Sequence, residues 1–306
     1  MAPRPIRVST RKAPSAPPQF RAALSAGAMV FVFAGLALGA MIWVPSMESR
    51  LASRAAGSQP KINIQWPVAD PADKGDPTKS WVPMPVRDEL MALACREVDR
   101  HSDPFSPAGL RAISDSLSRT GWFEQVSSVT RTGDAINFTA SWRTPAAVVR
   151  RNGVDYLISS GGYLLPVSYQ RGQAPVIAIV GASQEPPMVG GQLAPGLVWD
   201  GDDIRAALDT IALISTRSWR PQVTAIDISD YAAKKKLSLV TKWNGRAVLG
   251  GGPRDTTPGE VAIDVKIKRL DELVRQFGQI DAKHRLVEVA GPVMLVDDVG
   301  ATAQLP

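Results

Sequence analysis

The longest uncharged stretch of the chain constrains its fold more than any other feature. Residues 22–44 carry no charged side chain over 23 positions, and a helix of that length extends about 35 Å, enough to cross a bilayer core. A cleaved signal peptide normally has a shorter apolar region that ends at small residues. Gly35-Leu36-Ala37 offers such an end, but the apolar residues continue to Trp43 and Val44. We therefore predict an uncleaved transmembrane helix over residues 22–44.

The charges that flank this stretch predict its orientation. Residues 1–21 carry five basic residues and no acidic residue, whereas the other flank mixes Glu48 with Arg50 and Arg54. Positively charged flanks are retained in the cytoplasm, so the N-terminus is predicted to be cytoplasmic. We expect a disordered basic tail over residues 1–21, a stalk over residues 45–59, and a bulk that lies outside the plasma membrane.

The net charge of +6 does not indicate a nucleic-acid-binding surface. Five of the 35 basic residues lie in the tail, which leaves 30 basic and 29 acidic residues for the rest of the chain. A balance so close to neutral gives no basic excess to attract phosphates. We expect the membrane, and no nucleic acid, among the partners of this chain.

The single cysteine, Cys95, excludes an intrachain disulfide. Its neighbours Leu93, Ala94 and Val98 are apolar, and reactive cysteines need an electropositive and partly exposed setting. These neighbours predict a buried thiol on a helix.

The sequence offers few residues for catalysis or ligand binding. Its two histidines, His101 and His284, have no metal-ligand spacing, and no G-x-S-x-G nucleophile motif occurs. A Ser-His-Asp site would have to use one of these two histidines. The glycine run at residues 250–253 lacks the Lys-Ser/Thr of a phosphate-binding loop. Asp200, Asp202 and Asp203 precede a helix and are interpreted as capping residues rather than calcium ligands. We expect a protein that is not an enzyme and holds no cofactor or metal.

The N-terminal half of the outer part has the pattern of a small α+β unit. Residues 61–66 alternate like a strand, and residues 86–99 form an amphipathic helix. Ser106 and Pro107 mark the start of a second helix. Two strands at residues 123–131 and 135–143 follow, joined by a short turn.

The chain from residue 144 onward is predicted to be rich in strands. Gly161-Gly162 and Asn244-Gly245 mark hairpin turns. Residues 202–216 and 263–277 have the apolar spacing of helices, the second with a basic outer face. The predicted strands are residues 155–159, 163–167, 175–180, 223–229, 237–243, 246–249, 286–289 and 293–296.

Six short motifs follow one another between residues 121 and 289. They are GWFEQV at 121–126, RTPAA at 143–147, YLI at 156–158 with GYLL at 162–165, NGRAVLG at 244–250, KIKRL at 266–270 and LVEV at 286–289. Their order and spacing behind one membrane anchor resemble the FtsQ/DivIB family of bacterial cell-division proteins, over roughly residues 86–297. The sequence departs from the family at its last motif, where Glu288 and Ala290 replace an aspartate and an arginine.

The resemblance implies the fold class and the domain limits. The fold expected is α+β, with a single transmembrane helix, a POTRA-like domain over residues 60–143, and a mixed β-rich domain with flanking helices over residues 144–297. Residues 298–306 are expected to form a flexible tail, and the protein is expected at the division septum of the bacterial inner membrane.

The resemblance also implies a function and a set of partners. It implies a non-enzymatic scaffold that binds the small coiled-coil proteins FtsB and FtsL, and through them the septal peptidoglycan synthesis machinery. A terminal strand at a sheet edge accepts a strand from a partner by main-chain hydrogen bonds. The predicted partner-binding residues lie on the last two strands: Leu286, Glu288, Ala290, Val293, Met294, Leu295 and Val296.

A second hypothesis is a POTRA-bearing factor in protein secretion or envelope assembly. Such proteins use the same strand addition, usually with repeated POTRA units or a transmembrane barrel. The sequence shows one such unit and no series of barrel strands, which favours the division scaffold.

Overall fold

The computed structural model describes residues 60–68, 77–101 and 103–297. Its N-terminal part is a three-stranded sheet covered by two helices. Strand β3 lies in the middle, parallel to β1 and antiparallel to β2. The predicted strands and helices of this part are confirmed. Their bounds are β1 (Lys61–Ile64), α1 (Met84–Arg100), α2 (Pro107–Ser118), β2 (Phe123–Thr132) and β3 (Ala135–Trp142).

The start of α2 follows from its sequence. Ser106 Oγ accepts a hydrogen bond from the N–H of Gly109 at 3.1 Å, and Pro107 occupies the first helical position, where no N–H is needed. Ile113 and Leu117 are fully buried one turn apart and fix the helix against the sheet. The predicted cap is confirmed.

The prediction of a buried thiol is wrong, because Cys95 is exposed. The buried positions of α1 are Leu90, Ala94, Glu97 and Val98, which form one stripe at helical spacing. Cys95 lies about 100° around the helix from Ala94 and falls outside that stripe.

A nine-stranded mixed sheet dominates the remainder of the chain. Its strand order is β14-β13-β12-β11-β10-β7-β4-β5-β6, so both β6 and β14 are edges. Strands β8 and β9 form a separate hairpin. The strands are β4 (Pro145–Arg151), β5 (Val154–Ser159), β6 (Leu164–Gln170), β7 (Ile177–Val180), β8 (Met188–Val189), β9 (Gln192–Leu193), β10 (Val223–Asp227), β11 (Leu237–Thr241), β12 (Arg246–Gly250), β13 (Leu286–Glu288) and β14 (Leu295–Asp297).

Two long helices cover one face of this sheet. They are α3 (Asp202–Ile214) and α5 (Ile263–Phe277), with a single-turn helix α4 (Tyr231–Lys234) between them in sequence. Alternate strand residues point to this side, as the period of two in a strand requires. The sheet and helix residues that form this buried core include Val149, Ile179, Ile226, Leu239, Val287, Ile204, Ile211, Leu270 and Leu273.

The opposite face of the central strands is buried in the core of the N-terminal part. Val148, Ala178, Ala225 and Val240 belong to the same apolar cluster as Ile113 and Phe138. The sheet is therefore covered on both faces at its centre, which explains its near-continuous apolar strands. At the β13–β14 end the same face carries exposed residues.

The last strand begins later than predicted. The prediction placed it at residues 293–296, whereas β14 is Leu295–Asp297. Arg269 binds the carbonyl oxygens of Val289, Gly291 and Pro292, so the backbone through residue 292 belongs to the connection, and strand pairing begins only at Leu295.

The acidic cluster before α3 does not cap the helix as predicted. Gly201 occupies the cap position, with no side-chain cap hydrogen bond. Asp203 is buried instead and accepts hydrogen bonds from the N–H groups of Ser183 at 2.8 Å and Ile204 at 2.9 Å. Asp202 and Asp203 still lie in the first turn, where their charge complements the helix dipole.

Within the described ranges no helix is long and apolar enough to cross a membrane. The predicted span at residues 22–44, the basic tail, the stalk at residues 45–59 and the C-terminal tail at residues 298–306 all lie outside those ranges.

Candidate partner-binding edge

Strand β14 is the outermost strand at one end of the nine-stranded sheet. Among the described residues, strand β14 pairs only with β13, antiparallel, with Val296 opposite Val287 and Leu295 opposite Glu288. Opposed residues of an antiparallel pair share a face. Val287 is fully buried and Val296 packs on the same core, so Leu295 and Glu288 face away from the helices.

Exposed apolar side chains accompany this free edge. Val293 is 70% exposed, Leu295 is 57% exposed and Leu286 is 40% exposed. Unpaired N–H and C=O groups along an edge strand, next to apolar side chains, offer a partner strand both hydrogen bonds and surface to bury. This combination makes the β13–β14 edge the candidate recognition site.

Two ion pairs border the apolar residues on the same face. Glu288 lies 3.4 Å from the amine of Lys236, and Asp227 lies 2.9 Å from the guanidinium of Arg246. Leu286 pairs with Arg246 across the parallel β12–β13 ladder. The edge is therefore apolar in the middle and charged at its border, as binding surfaces commonly are.

Of the seven predicted site residues, Leu286, Val293 and Leu295 are exposed at this edge, and Glu288 lies opposite Leu295. Met294 and Val296 are partly buried against the core and support the strand from behind. Ala290 is 3% exposed, and its carbonyl accepts a hydrogen bond from the N–H of Val261 at 2.9 Å. Its side chain does not face the open edge.

Arg269 of α5 holds the connection between the last two strands. Its Nη1 donates to the carbonyl oxygens of Val289 at 2.8 Å and Gly291 at 2.5 Å, and its Nη2 donates to that of Pro292 at 2.7 Å. The planar guanidinium suits several acceptors at once. Sequence reasoning missed this role, because a cation on a helix gives no sign of which distant carbonyls it meets.

A buried carboxylate fixes the turn before β13. Asp281 is fully buried; it accepts from the hydroxyl of Thr241 at 2.6 Å and from the N–H of His284 at 3.2 Å. Ala282, Lys283 and His284 all have positive φ, a conformation that costs roughly 1–2 kcal/mol per residue. The contacts of Asp281 offset part of that cost and set β13 beside β12.

In the glycine run at residues 250–253, the backbone N–H groups of Gly251 and Gly252 donate to carboxylates of the chain itself. Glu260 accepts from the N–H of Gly251 at 2.9 Å and from the amine of Lys266 at 2.6 Å. Asp255 accepts from the N–H of Gly252 at 2.7 Å and from the hydroxyl of Tyr231 at 2.6 Å. The amides that would cradle a phosphate are thus already hydrogen-bonded.

These carboxylates also change the properties of their neighbours. Burial, and then the adjacent carboxylate of Asp255, raise the pKa of the Tyr231 hydroxyl. Lys266 is 3% exposed, so the predicted basic outer face of α5 does not include it.

No group of three or more histidine, cysteine or acidic side chains suited to a metal ion occurs among the described residues.

Comparison with known proteins gives a partial structural likeness and no match by sequence. A scan against models of known families and a search of curated proteins both find no match. Among solved structures, the chain is similar to the major extracytoplasmic domain of the trans isomer of the bacterial cell division protein DivIB from Geobacillus stearothermophilus. That match has a TM-score of 0.25 and 13% sequence identity, and covers 35% of this chain and 78% of the other.

Proposed function

We propose that this chain is a non-enzymatic scaffold of the bacterial septal cell-division complex. The proposal has two supports. One is the order of six sequence motifs that resembles the FtsQ/DivIB family. The other is the open edge of β14, with Leu286, Val293 and Leu295 exposed beside it.

The exposed edge is the observation that carries the proposal. Strand β14 has three residues, or about 10 Å of edge at 3.4 Å per residue. A few main-chain hydrogen bonds contribute little net free energy, so the neighbouring apolar side chains must supply most of the affinity. The partner would add an extended segment to β14 and bury Leu286 and Leu295.

The partners proposed are small coiled-coil division proteins like FtsB and FtsL, and through them the septal peptidoglycan synthesis machinery. In this proposal a transmembrane helix over residues 22–44 anchors the chain in the inner membrane. A POTRA-like domain and an FtsQ-type β domain follow outside it, over residues 60–143 and 144–297.

A fluorescent fusion in dividing cells tests the proposal. The full chain should concentrate at the septum and co-purify with the FtsB- and FtsL-like proteins of the same cells. An even distribution around the envelope, with exported polypeptides in place of division proteins in the purified complex, would contradict it and support the secretion hypothesis.

A further inference from the structure

The last five described residues alternate between exposed and half-buried side chains. Val293, Leu295 and Asp297 are exposed, whereas Met294 and Val296 pack against the core. Among the described residues no strand pairs with the outer side of β14. Unpaired main-chain groups beside exposed apolar side chains are a template for an added strand. The edge therefore fits an extended segment that has apolar side chains on the face of Leu295.

The sequence that directly follows β14 has the pattern of a turn and a strand. Residues 297–300 are Asp-Asp-Val-Gly, and a type I turn favours aspartate at its first position and glycine at its fourth. In a hairpin with a three-residue loop, that last glycine has positive φ and forms a bulge. Residues 301–305 are Ala-Thr-Ala-Gln-Leu, an alternation typical of a strand with one apolar face. Residues 298–306 lie outside the described ranges, so this hairpin is predicted from the sequence alone.

A loop of residues 298–300 determines which residues would be opposed. It places Ala303 opposite Leu295 and Leu305 opposite Val293, and opposed residues of an antiparallel pair share a face. The apolar side chains of the segment would then cover the two most exposed apolar side chains of the edge, at 57% and 70% exposure. A shift of one residue would turn the polar side chains of the segment to that face instead.

The segment begins at the edge itself. Asp297 is the last residue of β14, so the three-residue loop alone separates the two strands. Such a short link gives the segment an effective concentration of about millimolar or more at the edge. Glu288, opposite Leu295 on β13, is already paired with Lys236 at 3.4 Å, so the uncharged segment matches the charge of its neighbours.

We infer that residues 301–305 pair with β14 as an added strand and cover the edge that a partner would use. This inference rests on the proposed function where it names β14 as the partner-binding edge. The outer side of one strand offers a single row of main-chain groups, so a partner strand must displace the segment. The tail expected to be flexible over residues 298–306 is then a strand that regulates access to the edge.

A disulfide cross-link tests the pairing in the purified full-length chain in detergent. In a Cys95→Ser background, Leu295→Cys is combined with Ala303→Cys. Opposed residues of an antiparallel pair have Cα atoms about 4.5–5.5 Å apart, within the reach of a disulfide, so mild oxidation should join them within one chain. The matched control combines Ala303→Cys with Ser168→Cys, an exposed position on β6 at the other end of the same sheet.

The control pair should stay reduced. Equal yields of intrachain disulfide in the two pairs would overturn the inference. A disulfide that forms mainly between two chains, seen as a dimer on a non-reducing gel, would assign the edge to a second copy and would also overturn it.

Two substitutions at Gly300 test the turn in the same cross-linking background. A β-branched residue is strained at positive φ, whereas asparagine tolerates it. Gly300→Val should therefore form the Leu295→Cys–Ala303→Cys disulfide about five-fold or more slowly than Gly300→Asn. Equal rates would contradict the predicted turn.

Partner binding separates this inference from the proposed function. In a pull-down with the FtsB-like protein of the same cells, Gly300→Val should retain about five-fold more of it than Gly300→Asn, because its edge is uncovered more often. Equal retention by both variants would overturn the regulatory role. If the cross-link forms but neither variant retains the protein, the proposed function fails, and the segment only completes the sheet.

Discussion

Arg269 on helix α5 lies 2.8 Å from the carbonyl oxygen of Val289, and this hydrogen bond joins the helix to the end of β13. The same guanidinium also binds Gly291 and Pro292. The position of the free edge strand therefore depends on a side chain that is not itself at the edge.

The first prediction concerns this positioning role. Arg269→Ala should lower the free energy of unfolding by about 1–3 kcal/mol, because three carbonyls lose a charged donor. It should also raise hydrogen exchange over residues 289–297 and weaken partner binding. Arg275→Ala is the control: it removes an exposed pair with Glu272 on the same helix, which contributes about 0–1 kcal/mol. Equal exchange at residues 289–297 in both variants would show that Arg269 does not position the edge.

The second prediction concerns the edge strand itself. Leu295→Pro removes one backbone donor and restricts the backbone at an edge position, so the chain should stay folded by circular dichroism and lose its partner in a pull-down. Leu239→Pro, in the internal strand β11, should unfold the chain. A folded Leu295→Pro variant that binds its partner normally would refute strand addition at β14.

The third prediction concerns the aromatic cluster of the N-terminal part. The ring of Trp142 lies 4.4 Å from that of Phe123 and 5.6 Å from that of Trp66, between centroids, and its indole N–H donates to the carbonyl of Gln65 at 3.1 Å. Trp142→Asp should cost about 3–5 kcal/mol of stability, as losses of packed aromatic residues do. Trp142→Phe should cost less, about 1 kcal/mol. An unchanged melting temperature in Trp142→Asp would show that this packing does not stabilise the chain.

The fourth prediction concerns pH. Asp155 is fully buried and accepts from Arg150 at 2.7 and 3.0 Å and from the N–H of Gly172 at 2.8 Å. Burial alone would raise the pKa of the Asp155 carboxyl. The hydrogen bonds and charge of Arg150, together with the hydrogen bond from Gly172, outweigh burial and hold this pKa below the usual value of 3.8 for an aspartate. The ionised carboxylate therefore stabilises the fold above pH 3.8, and this stabilisation is lost as pH falls through the lowered pKa.

Urea denaturation between pH 6 and pH 3 measures that loss. Asp155→Asn should destabilise the chain by about 3 kcal/mol near pH 6, because it leaves Arg150 without its buried partner, and should flatten the acid side of the profile. Asp134→Asn is the matched control, since its pair with Lys61 is exposed and contributes about 0–1 kcal/mol. Identical pH profiles for Asp155→Asn and the unaltered chain would contradict the assignment.

The fifth prediction concerns the anchor. Mass spectrometry of the mature protein should find residues 1–21 still attached, since the apolar run at residues 22–44 is too long for a typical cleaved signal. A mature N-terminus near Leu38 would contradict the uncleaved helix.

Local features of the fold were predictable from the sequence. The hairpin turn at Asn244-Gly245 and the cap at Ser106 follow from residue types at adjacent positions, and both are confirmed. The amphipathic spacing of residues 263–277 correctly gave the bounds of α5. These signals act over a few residues, so a single sequence carries them in full.

Relations between distant residues were not predictable. Nothing near Thr241 indicates that Asp281 accepts its hydroxyl hydrogen bond, 40 positions away. The same holds for Arg269 and the connection after β13, which explains why β14 was placed two residues early. The resemblance implies Ala290 as a site residue because it occupies the position of an arginine in the last family motif, but its carbonyl is hydrogen-bonded to Val261 and it is buried.

The order of the nine-stranded sheet has a consequence for how the chain is made. From β4 the sheet extends through β5 and β6 on one side, and through β7, β10, β11, β12, β13 and β14 on the other, in the order of synthesis. Domains form as the chain emerges from its N-terminus, so the β14 edge is the last part of the sheet that can be completed. A chain that has not reached Leu295 exposes an earlier strand in its place, so the proposed binding edge exists only once β14 (Leu295–Asp297) has been synthesised.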